Sequence, residues 1–376
     1  MTVGFSDTDP APGANAEHHS AIQHHLHNSH LPALDGLRAI AVGLVIFFHL
    51  GFEFVPGAYG VMMFFVISGF LITWLLLREN AKTGTVSLRE FYKRRTLRIF
   101  PAFYVFLAAW IALLYWSHHD IPWAHATSAF FYVSNYYNAI LGDPNDGFSH
   151  TWSLAIEEQF YLLWPAAFLL LRRRPAAMAS TLAATIIGIW IYRWILCLGF
   201  NVNQGYIYAA FDTRLDSLLT GCLLAVLLKQ RLLKVCFERL TNRAFLPLLS
   251  AAALILAMYF PELTNIDVYR YRDLYGFLIT PGLIAILIAQ LIANNSHWLW
   301  RWLGWRPVRY LGTISYSMYL YQQVVLEPVE KAMHAWPRGV AIIAAAAATV
   351  AVASLSYYVV ERPFLRLRYR RSDAAN

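Results

Sequence analysis

Ten apolar runs repeat along the chain, and short polar segments separate them. About 20 apolar residues in a helix are needed to cross the hydrocarbon core of a bilayer. We expect crossings at residues 37–54, 59–77, 99–116, 152–171, 177–199, 207–228, 245–260, 274–293, 310–328 and 338–359. The pattern predicts an all-α fold, a polytopic membrane helical bundle of about ten transmembrane helices.

The segment 124–141 is apolar but contains scattered polar residues, and we interpret it as a partial or interfacial helix. The distribution of basic residues supports this interpretation. With ten crossings, 24 of the 30 Lys and Arg residues lie towards one side of the membrane. If 124–141 also crossed the membrane, Arg172 and every later loop would lie on the other side of the membrane. The asymmetry in basic residues would then disappear. The positive-inside rule then predicts that both termini are cytoplasmic.

The composition agrees with a membrane protein. Apolar residues make up 58% of the chain and charged residues 14%, whereas soluble domains have nearer half and a quarter. The net charge of +8 would suggest nucleic-acid binding in a soluble protein. Here cytoplasmic loops account for it, and we expect no nucleic-acid partner.

The chain divides into two tails and one membrane unit. Residues 1–30 are polar and include six histidines; we predict a disordered cytoplasmic tail there, with metal binding as the alternative. They contain no continuous apolar core, so we predict no cleaved signal peptide. We expect residues 31–367 to form one integral-membrane domain and 368–376 a basic cytoplasmic tail. The three cysteines show no pairing pattern, so neither a disulfide nor a zinc site is predicted.

The first candidate site lies in the first apolar run. His49 is an ionisable group within it, and such a group is expensive to bury in a membrane and commonly functional. Asp35 and Arg38 lie at the predicted cytoplasmic mouth, and His49 is roughly 16 Å further along the helix. Glu53 would lie one turn beyond on the same face and could orient His49. The alternatives are a helix cap at Asp35, a snorkelling Arg38 and an interfacial His49.

A basic cluster precedes the third crossing. Arg94, Arg95 and Arg98 lie in a predicted interfacial helix that leads into this crossing at Pro101. Guanidinium groups bind phosphates in a bidentate manner. The cluster therefore suggests an anionic ligand, and anchoring to acidic lipids is the alternative.

Glu157 and Glu158 are adjacent carboxyl groups inside the fourth crossing. They require a cavity or a partner there, because charges are expensive in a membrane. They could bind sugar hydroxyls or share a proton with the histidine of the first run. Pairing with an arginine inside the membrane is the structural alternative.

A second polar cluster comprises Asp212, Arg214 and Asp216, at the outer end of the sixth crossing. The two aspartates are four residues apart and share one helix face. They could line an aqueous pocket that opens outwards, and a salt-bridge network between helices is the alternative.

Seven stretches of the sequence occur in an order that is typical of one family. They are LPALDGLRAIAVGLVIFFH, GAYGVMMFFVISGFLIT, FYKRRTLRIFPAFY, TWSLAIEEQFYLLWP, FDTRLDSLLTGCLLA, LGTISYSMYLYQ and YYVVERPFLRL. Together they resemble the integral-membrane acyltransferase family 3, whose members O-acylate cell-surface glycans and some secondary metabolites. The resemblance covers residues 31–367.

The resemblance implies roles for several residues. His49 matches the catalytic histidine of the family, and Arg38 matches the arginine of its first-helix motif. The cluster Arg94, Arg95 and Arg98 matches an element expected near the acyl donor, and Glu157 and Glu158 match its paired glutamates.

One departure from the family pattern follows the SYSMYL stretch. The family usually has a histidine and a proline there, whereas this chain has Tyr321, Gln322 and Gln323. Gln322 can hydrogen-bond a substrate but cannot titrate near neutral pH. This chain therefore lacks a second histidine at this position.

These features predict a bacterial inner-membrane O-acyltransferase. It would move an acyl group, such as acetyl, from cytoplasmic acyl-CoA to a hydroxyl of a sugar or glycan, without a tightly bound cofactor or metal. His49 would act as general base, Glu157 or Glu158 would orient His49 or the acceptor, and the acceptor would pass Asp212 and Asp216. Direct transfer and an acyl-enzyme on His49 are both compatible with the sequence.

The sequence leaves the acceptor and the acyl group undefined. A lipopolysaccharide sugar, an exopolysaccharide, peptidoglycan, a lipid-linked saccharide or a macrolide would each fit as acceptor, and the sequence does not define the acyl length or the oligomeric state. The alternative function is a transporter or flippase of a glycan or acylated product. Paired broken helices in inverted repeats would favour transport, and the sequence shows none.

Overall fold

The structure, a computed structural model, describes residues 31–144, 146–229 and 234–370. The helices in these ranges are, in chain order, α1 (Pro32–His49), α2 (Gly57–Thr83), α3 (Leu88–Trp116), α4 (Trp123–Phe130), α5 (Ser134–Leu141), α6 (Thr151–Leu171), α7 (Pro175–Trp194), α8 (Gln204–Ala209), α9 (Phe211–Lys229), α10 (Lys234–Thr241), α11 (Leu246–Thr264), α12 (Val268–Ala293), α13 (Arg306–Ala332), α14 (Arg338–Ser356) and α15 (Arg362–Arg370). The described residues contain no strand. The predicted tail 1–30 lies outside the described residues. Helix α15 continues into the predicted tail 368–376, whose remaining residues also lie outside them.

Eight of the described helices are long and apolar enough to cross a membrane. They are α1, α2, α3, α6, α7, α11, α12 and α14. The predicted all-α polytopic membrane architecture is therefore confirmed. Two further predicted crossings, 207–228 and 310–328, coincide with α9 and α13, which are 19 and 27 residues long but more polar. Their passage across the membrane stays a prediction.

The segment 124–141 forms two helices, α4 and α5, each of eight residues. Each is roughly 12 Å long, which is too short to cross a bilayer. The chain turns between them at Tyr132, whose φ is 54°. The Tyr132 ring stacks on Phe103 of α3, with 4.5 Å between the ring centroids. The break between the two helices thus lies where Tyr132 packs against α3.

The first helix begins and ends earlier than the predicted range 37–54. Pro32 lies in its first turn, where proline is well tolerated. The helix ends at His49, and Gly51 then has a φ of 80°, which glycine adopts readily. Glu53 therefore lies in the following loop. The expectation that it shares a helix face with His49 was wrong.

Helices α2 and α9 pack closely in the interior of the bundle. A Cβ atom on Gly69 would collide with the carbonyl oxygen of Leu218, and one on Gly221 would collide with the carbonyl oxygen of Val66. Small residues at such positions allow two helix backbones to approach. The contact fixes α2, which contributes side chains to both cavities described below.

Candidate functional site

Three arginines and two glutamates line a cavity of about 320 Å³ between α1, α2, α3, α6 and α13. We call it the arginine cavity. Its charged side chains are Arg38, Arg95, Arg98, Glu157 and Glu158. Five residues predicted from separate stretches of sequence therefore lie around one space, and its guanidinium groups suit an anionic ligand.

Helix α3 determines which arginines reach this cavity. The Ser87 side chain accepts a hydrogen bond from the Glu90 N–H at 3.4 Å and so caps the start of the helix. Arg95 and Arg98 are three residues apart, share a face and line the cavity. Arg94 instead forms an ion pair with Glu79 at 2.7 Å and does not line the cavity. The structure thus separates Arg94 from the two arginines it was grouped with.

The glutamates lie on the arginine side of the site. Glu157 accepts hydrogen bonds from the Ser68 hydroxyl at 2.9 Å and from the Tyr161 hydroxyl at 3.1 Å. The guanidinium carbon of Arg95 lies 5.3 Å from the centre of the Tyr161 ring. Neither Glu157 nor Glu158 lines the cavity that contains His49.

A second cavity, of about 240 Å³, lies where α1 ends and α2 and α6 begin. We call it the histidine cavity. Its polar lining includes His49, Asp143, His150, Tyr208 and Gln323. His49 is exposed, so its ring is accessible from outside the protein.

Hydrogen bonds define the proton positions on the two imidazoles. His49 Nδ1 lies 2.8 Å from the Val45 carbonyl oxygen. Because a carbonyl only accepts, Nδ1 carries the proton and Nε2 carries the lone pair. Gln323 Nε2 lies 3.3 Å from His49 Nε2, and Gln323 Oε1 lies 2.9 Å from His150 Nδ1. Gln323 therefore links the two rings.

The two cavities are neighbours that share Val61 and Tyr319 in their walls. The Tyr319 hydroxyl lies 2.6 Å from the Ser153 hydroxyl and donates to the His150 carbonyl oxygen at 3.1 Å. These bonds hold the Tyr319 side chain between the arginine side and the histidine side. A ligand that occupied both cavities would have to pass this side chain.

The other predicted site residues occupy different places. Asp212 accepts hydrogen bonds from two tyrosine hydroxyls, and Asp216 pairs with the buried Arg193 at 2.5 Å. The Arg214 guanidinium carbon lies 3.7 Å from the centre of the Phe277 ring. None of the three predicted residues of this cluster lines the arginine or the histidine cavity.

Two more predicted residues support packing in this region. Asp35 lies in the first turn of α1, where its backbone is so close to α13 that a Cβ on Gly312 would collide with the Asp35 carbonyl. Gln322 is buried, and its side-chain amide has no hydrogen-bond partner within the described part of the chain. Neither residue lines either cavity.

Sequence reasoning missed His150, Gln323 and Tyr319 as parts of the site. Tyr319 and Gln323 are four residues apart, so that they share one face of α13. That four-residue spacing could have indicated that both side chains belong to one site. His150 lies immediately before α6, in the same stretch of sequence as Glu157 and Glu158, but a loop position alone did not mark it as a site residue. Among the described residues, no group of three His, Cys, Asp or Glu side chains could hold a metal ion.

Comparison with known proteins places this geometry in context. Residues 31–358 match a family model described as an acyltransferase domain. The YrhL protein of Bacillus subtilis is 34% identical over 372 residues, which cover 92% of this chain and 56% of YrhL. The peptidoglycan O-acetyltransferase OatA of Listeria monocytogenes is 31% identical over 351 residues, which cover 89% of this chain and 56% of OatA.

The O-acetyltransferase OatA of Staphylococcus aureus is 34% identical over 317 residues, which cover 79% of this chain and 51% of that protein. The chain thus spans about half the length of the curated relatives it matches. No solved structure matches it.

Proposed function

Because the chain belongs to the integral-membrane acyltransferase family 3, we propose that it transfers an acetyl group from cytoplasmic acetyl-CoA to a hydroxyl group of a glycan. The observation that carries this proposal is the pair of adjacent cavities. One is lined by three arginines, the other contains an accessible imidazole, and Val61 and Tyr319 belong to both. An anionic donor and a neutral alcohol can therefore approach one another from two sides.

The donor would bind in the arginine cavity. Arg38, Arg95 and Arg98 provide charge-assisted hydrogen bonds for phosphate groups. The volume of about 320 Å³ is at the small end of the ligand-pocket range. It suits the thioester arm of CoA together with the adjoining phosphates, while the adenosine stays at the opening. Ser68 and Tyr161 hold Glu157 in place by hydrogen bonds. Its carboxyl group would offset part of the positive charge of the three arginines.

The acceptor would bind in the histidine cavity. His49 Nε2 carries the lone pair, and it would remove the proton of the acceptor hydroxyl as that oxygen attacks the thioester carbonyl carbon. The carbon–sulfur bond then breaks, and the thiolate of CoA takes the proton from the imidazolium. This sequence forms one ester and one free thiol and restores neutral His49. Entry of the acceptor past Asp212 and Asp216 stays a prediction.

The acceptor and the orientation are also part of the proposal. The OatA protein of Listeria monocytogenes is named a peptidoglycan O-acetyltransferase, and we propose a sugar of the cell wall as acceptor here. The bias of basic residues supports cytoplasmic termini, with the arginine cavity towards the cytoplasm and the histidine cavity towards the outside.

The direct test is acetyl transfer by the purified protein in lipid nanodiscs. Acetyl-CoA and peptidoglycan fragments are supplied, free thiol is measured, and the glycan is analysed by mass spectrometry. We expect thiol release that depends on the glycan, together with a glycan heavier by one acetyl group. Fragments with blocked hydroxyl groups are the control and should give neither product.

Two outcomes would contradict this function. Thiol release that is independent of any glycan would indicate hydrolysis alone. Movement of labelled glycan across sealed vesicles without acetylation would instead support a transporter.

A further inference from the structure

The histidine cavity contains a second imidazole that general-base catalysis by His49 does not by itself require. His150 is 3% exposed and lines the same cavity. It contacts His49 only through the Gln323 amide, which comes from α13. The side chains thus form a chain of hydrogen bonds from a buried ring to an exposed one.

The proton positions along this chain are determined at each step. The Gln323 oxygen can only accept, so His150 Nδ1 must donate to it. The other end of the amide is then NH₂, which donates to His49 Nε2. Nδ1 of His49 already donates to Val45. Every contact is satisfied only when His150 carries a proton on Nδ1 and His49 is neutral with its proton on Nδ1.

We propose that His150 and Gln323 are positioning residues that hold His49 in its neutral, base-competent form. This inference rests on the function proposed above. If His49 were protonated on Nε2, that N–H would face the NH₂ of Gln323, and two donors would oppose each other. Rotation of the amide would relieve this conflict, but its NH₂ would then face the N–H of His150.

The properties of His150 fit this role. Burial lowers the pKa of the His150 imidazole to about 4, so the ring stays neutral and presents only one N–H to Gln323. Its Nε2 atom has no hydrogen-bond partner among the described residues. The contact from Gln323 to His49 is long, at 3.3 Å, so an acceptor hydroxyl can displace the amide from Nε2.

Other titratable groups face the same cavity and bear on its pH dependence. They are Asp143 in the loop after α5, Tyr208 of α8 and Tyr319 of α13. A carboxylate at Asp143 favours a protonated imidazole, opposite to the effect of Gln323. The proposed hydrogen-bond chain therefore acts against the one carboxyl group among the described residues that line this cavity.

The experiment compares Gln323→Met, Gln323→Glu, His150→Leu and His150→Gln. Gln323→Met removes both hydrogen bonds with little change of length, and we expect kcat to fall about tenfold with an unchanged KM for acetyl-CoA. Gln323→Glu accepts from both rings and favours a protonated His49. We expect it to move the acid limb of the rate–pH profile up by about one unit.

Recovery of activity in a conservative variant distinguishes a positioning role of His150 from a role in packing alone. His150→Leu should behave like Gln323→Met, whereas the amide of His150→Gln can still donate to Gln323 and should restore most of the rate. His125→Gln is the matched control, because His125 is also buried but pairs with Asp146 at 2.8 Å outside the cavity. Its pH profile should equal that of the unmodified protein.

A second readout does not depend on activity. In protein with ¹⁵N-labelled histidine, His49 and His150 are assigned from the signals lost in His49→Ala and His150→Gln. Both rings should be neutral with protonated Nδ1 at pH 7, and protonated His49 should appear at higher pH in Gln323→Glu than in the unmodified protein. Identical His49 titration in the unmodified protein, Gln323→Met and Gln323→Glu would overturn the inference, even if acetyl transfer is observed. An inactive protein with the expected titration would contradict the function and not the inference.

Discussion

The arginine cavity and the histidine cavity share two wall residues but differ in their electrostatics. The first has three guanidinium groups and two carboxyl groups. The second has two imidazoles, one amide and the carboxyl group of Asp143. Binding of a polyanion requires positively charged side chains, because such groups attract phosphates over several ångströms. Proton transfer requires a base with an available lone pair. Hydrogen bonds to uncharged neighbours keep the imidazole in the neutral form that has this lone pair. The comparison suggests that one side binds and the other reacts.

The sharpest test of this division is His49→Ala. Loss of a general base typically lowers a rate by about 10²–10⁴-fold. We expect this loss in kcat for acetyl transfer, with acetyl-CoA affinity unchanged in equilibrium binding. Equal losses of donor binding and of transfer would show that the two cavities do not divide these tasks.

The next largest effect is expected for Arg95→Ala. A hydrogen bond to a charged group contributes about 1.5–3 kcal/mol, so acetyl-CoA should bind about 10–100-fold more weakly. Arg94→Ala is the matched control, since Arg94 pairs with Glu79 outside the cavity and partly exposed pairs contribute about 0–1 kcal/mol. Calorimetric titration with CoA distinguishes them, and equal weakening by both would refute the assignment.

The wall between the cavities depends on the packing of α2. Gly69→Ala should lower stability by about 1–3 kcal/mol, because the added methyl group meets the Leu218 backbone. Gly188→Ala in α7 is the control: among the described residues, nothing outside the neighbouring backbone of α7 lies within 4 Å of the point that its added methyl group would occupy, and alanine favours a helix. Thermal unfolding in detergent measures both. A stable Gly69→Ala protein would mean that α2 and α9 can separate without loss.

The smallest effect is expected for Ser68→Ala. It removes one of the two hydrogen bonds to Glu157, so the free energy of unfolding should fall by about 1 kcal/mol, as measured by thermal unfolding in detergent, while kcat changes little. Ser180→Ala, on the exposed face of α7, should leave both unchanged. A kcat loss as large as that of His49→Ala would place Glu157 in the reacting part of the site.

Comparison of particular residues shows how far the sequence could lead. The run around His49 predicted a membrane helix and an unusual imidazole, and both the helix and the accessible ring are present. It also predicted that Glu53 would share a helix face with His49, which was wrong because the helix ends at His49. The helix end depends on Gly51 and on contacts with later parts of the chain, and local apolar pattern does not report these.

The arginines show the same limit in a different form. Their sequence indicated an anion-binding cluster, but not that Arg94 turns away to Glu79 while Arg95 and Arg98 enter a cavity. The pairing of Arg94 with Glu79 depends on where α2 ends relative to α3, which the sequence of α3 alone does not show.

The sequence by itself determined the membrane class, most helices and the presence of charged groups within them, because the hydrophobic effect acts on each segment independently of the rest. Only the tertiary structure decided which polar groups meet. His49, His150 and Gln323 are up to 274 residues apart in the chain. They converge because α1 packs against α13 and the start of α6 is bonded to α13 through Ser153 and Tyr319. Such contacts depend on the packing geometry of several helices at once, which no single stretch of sequence encodes.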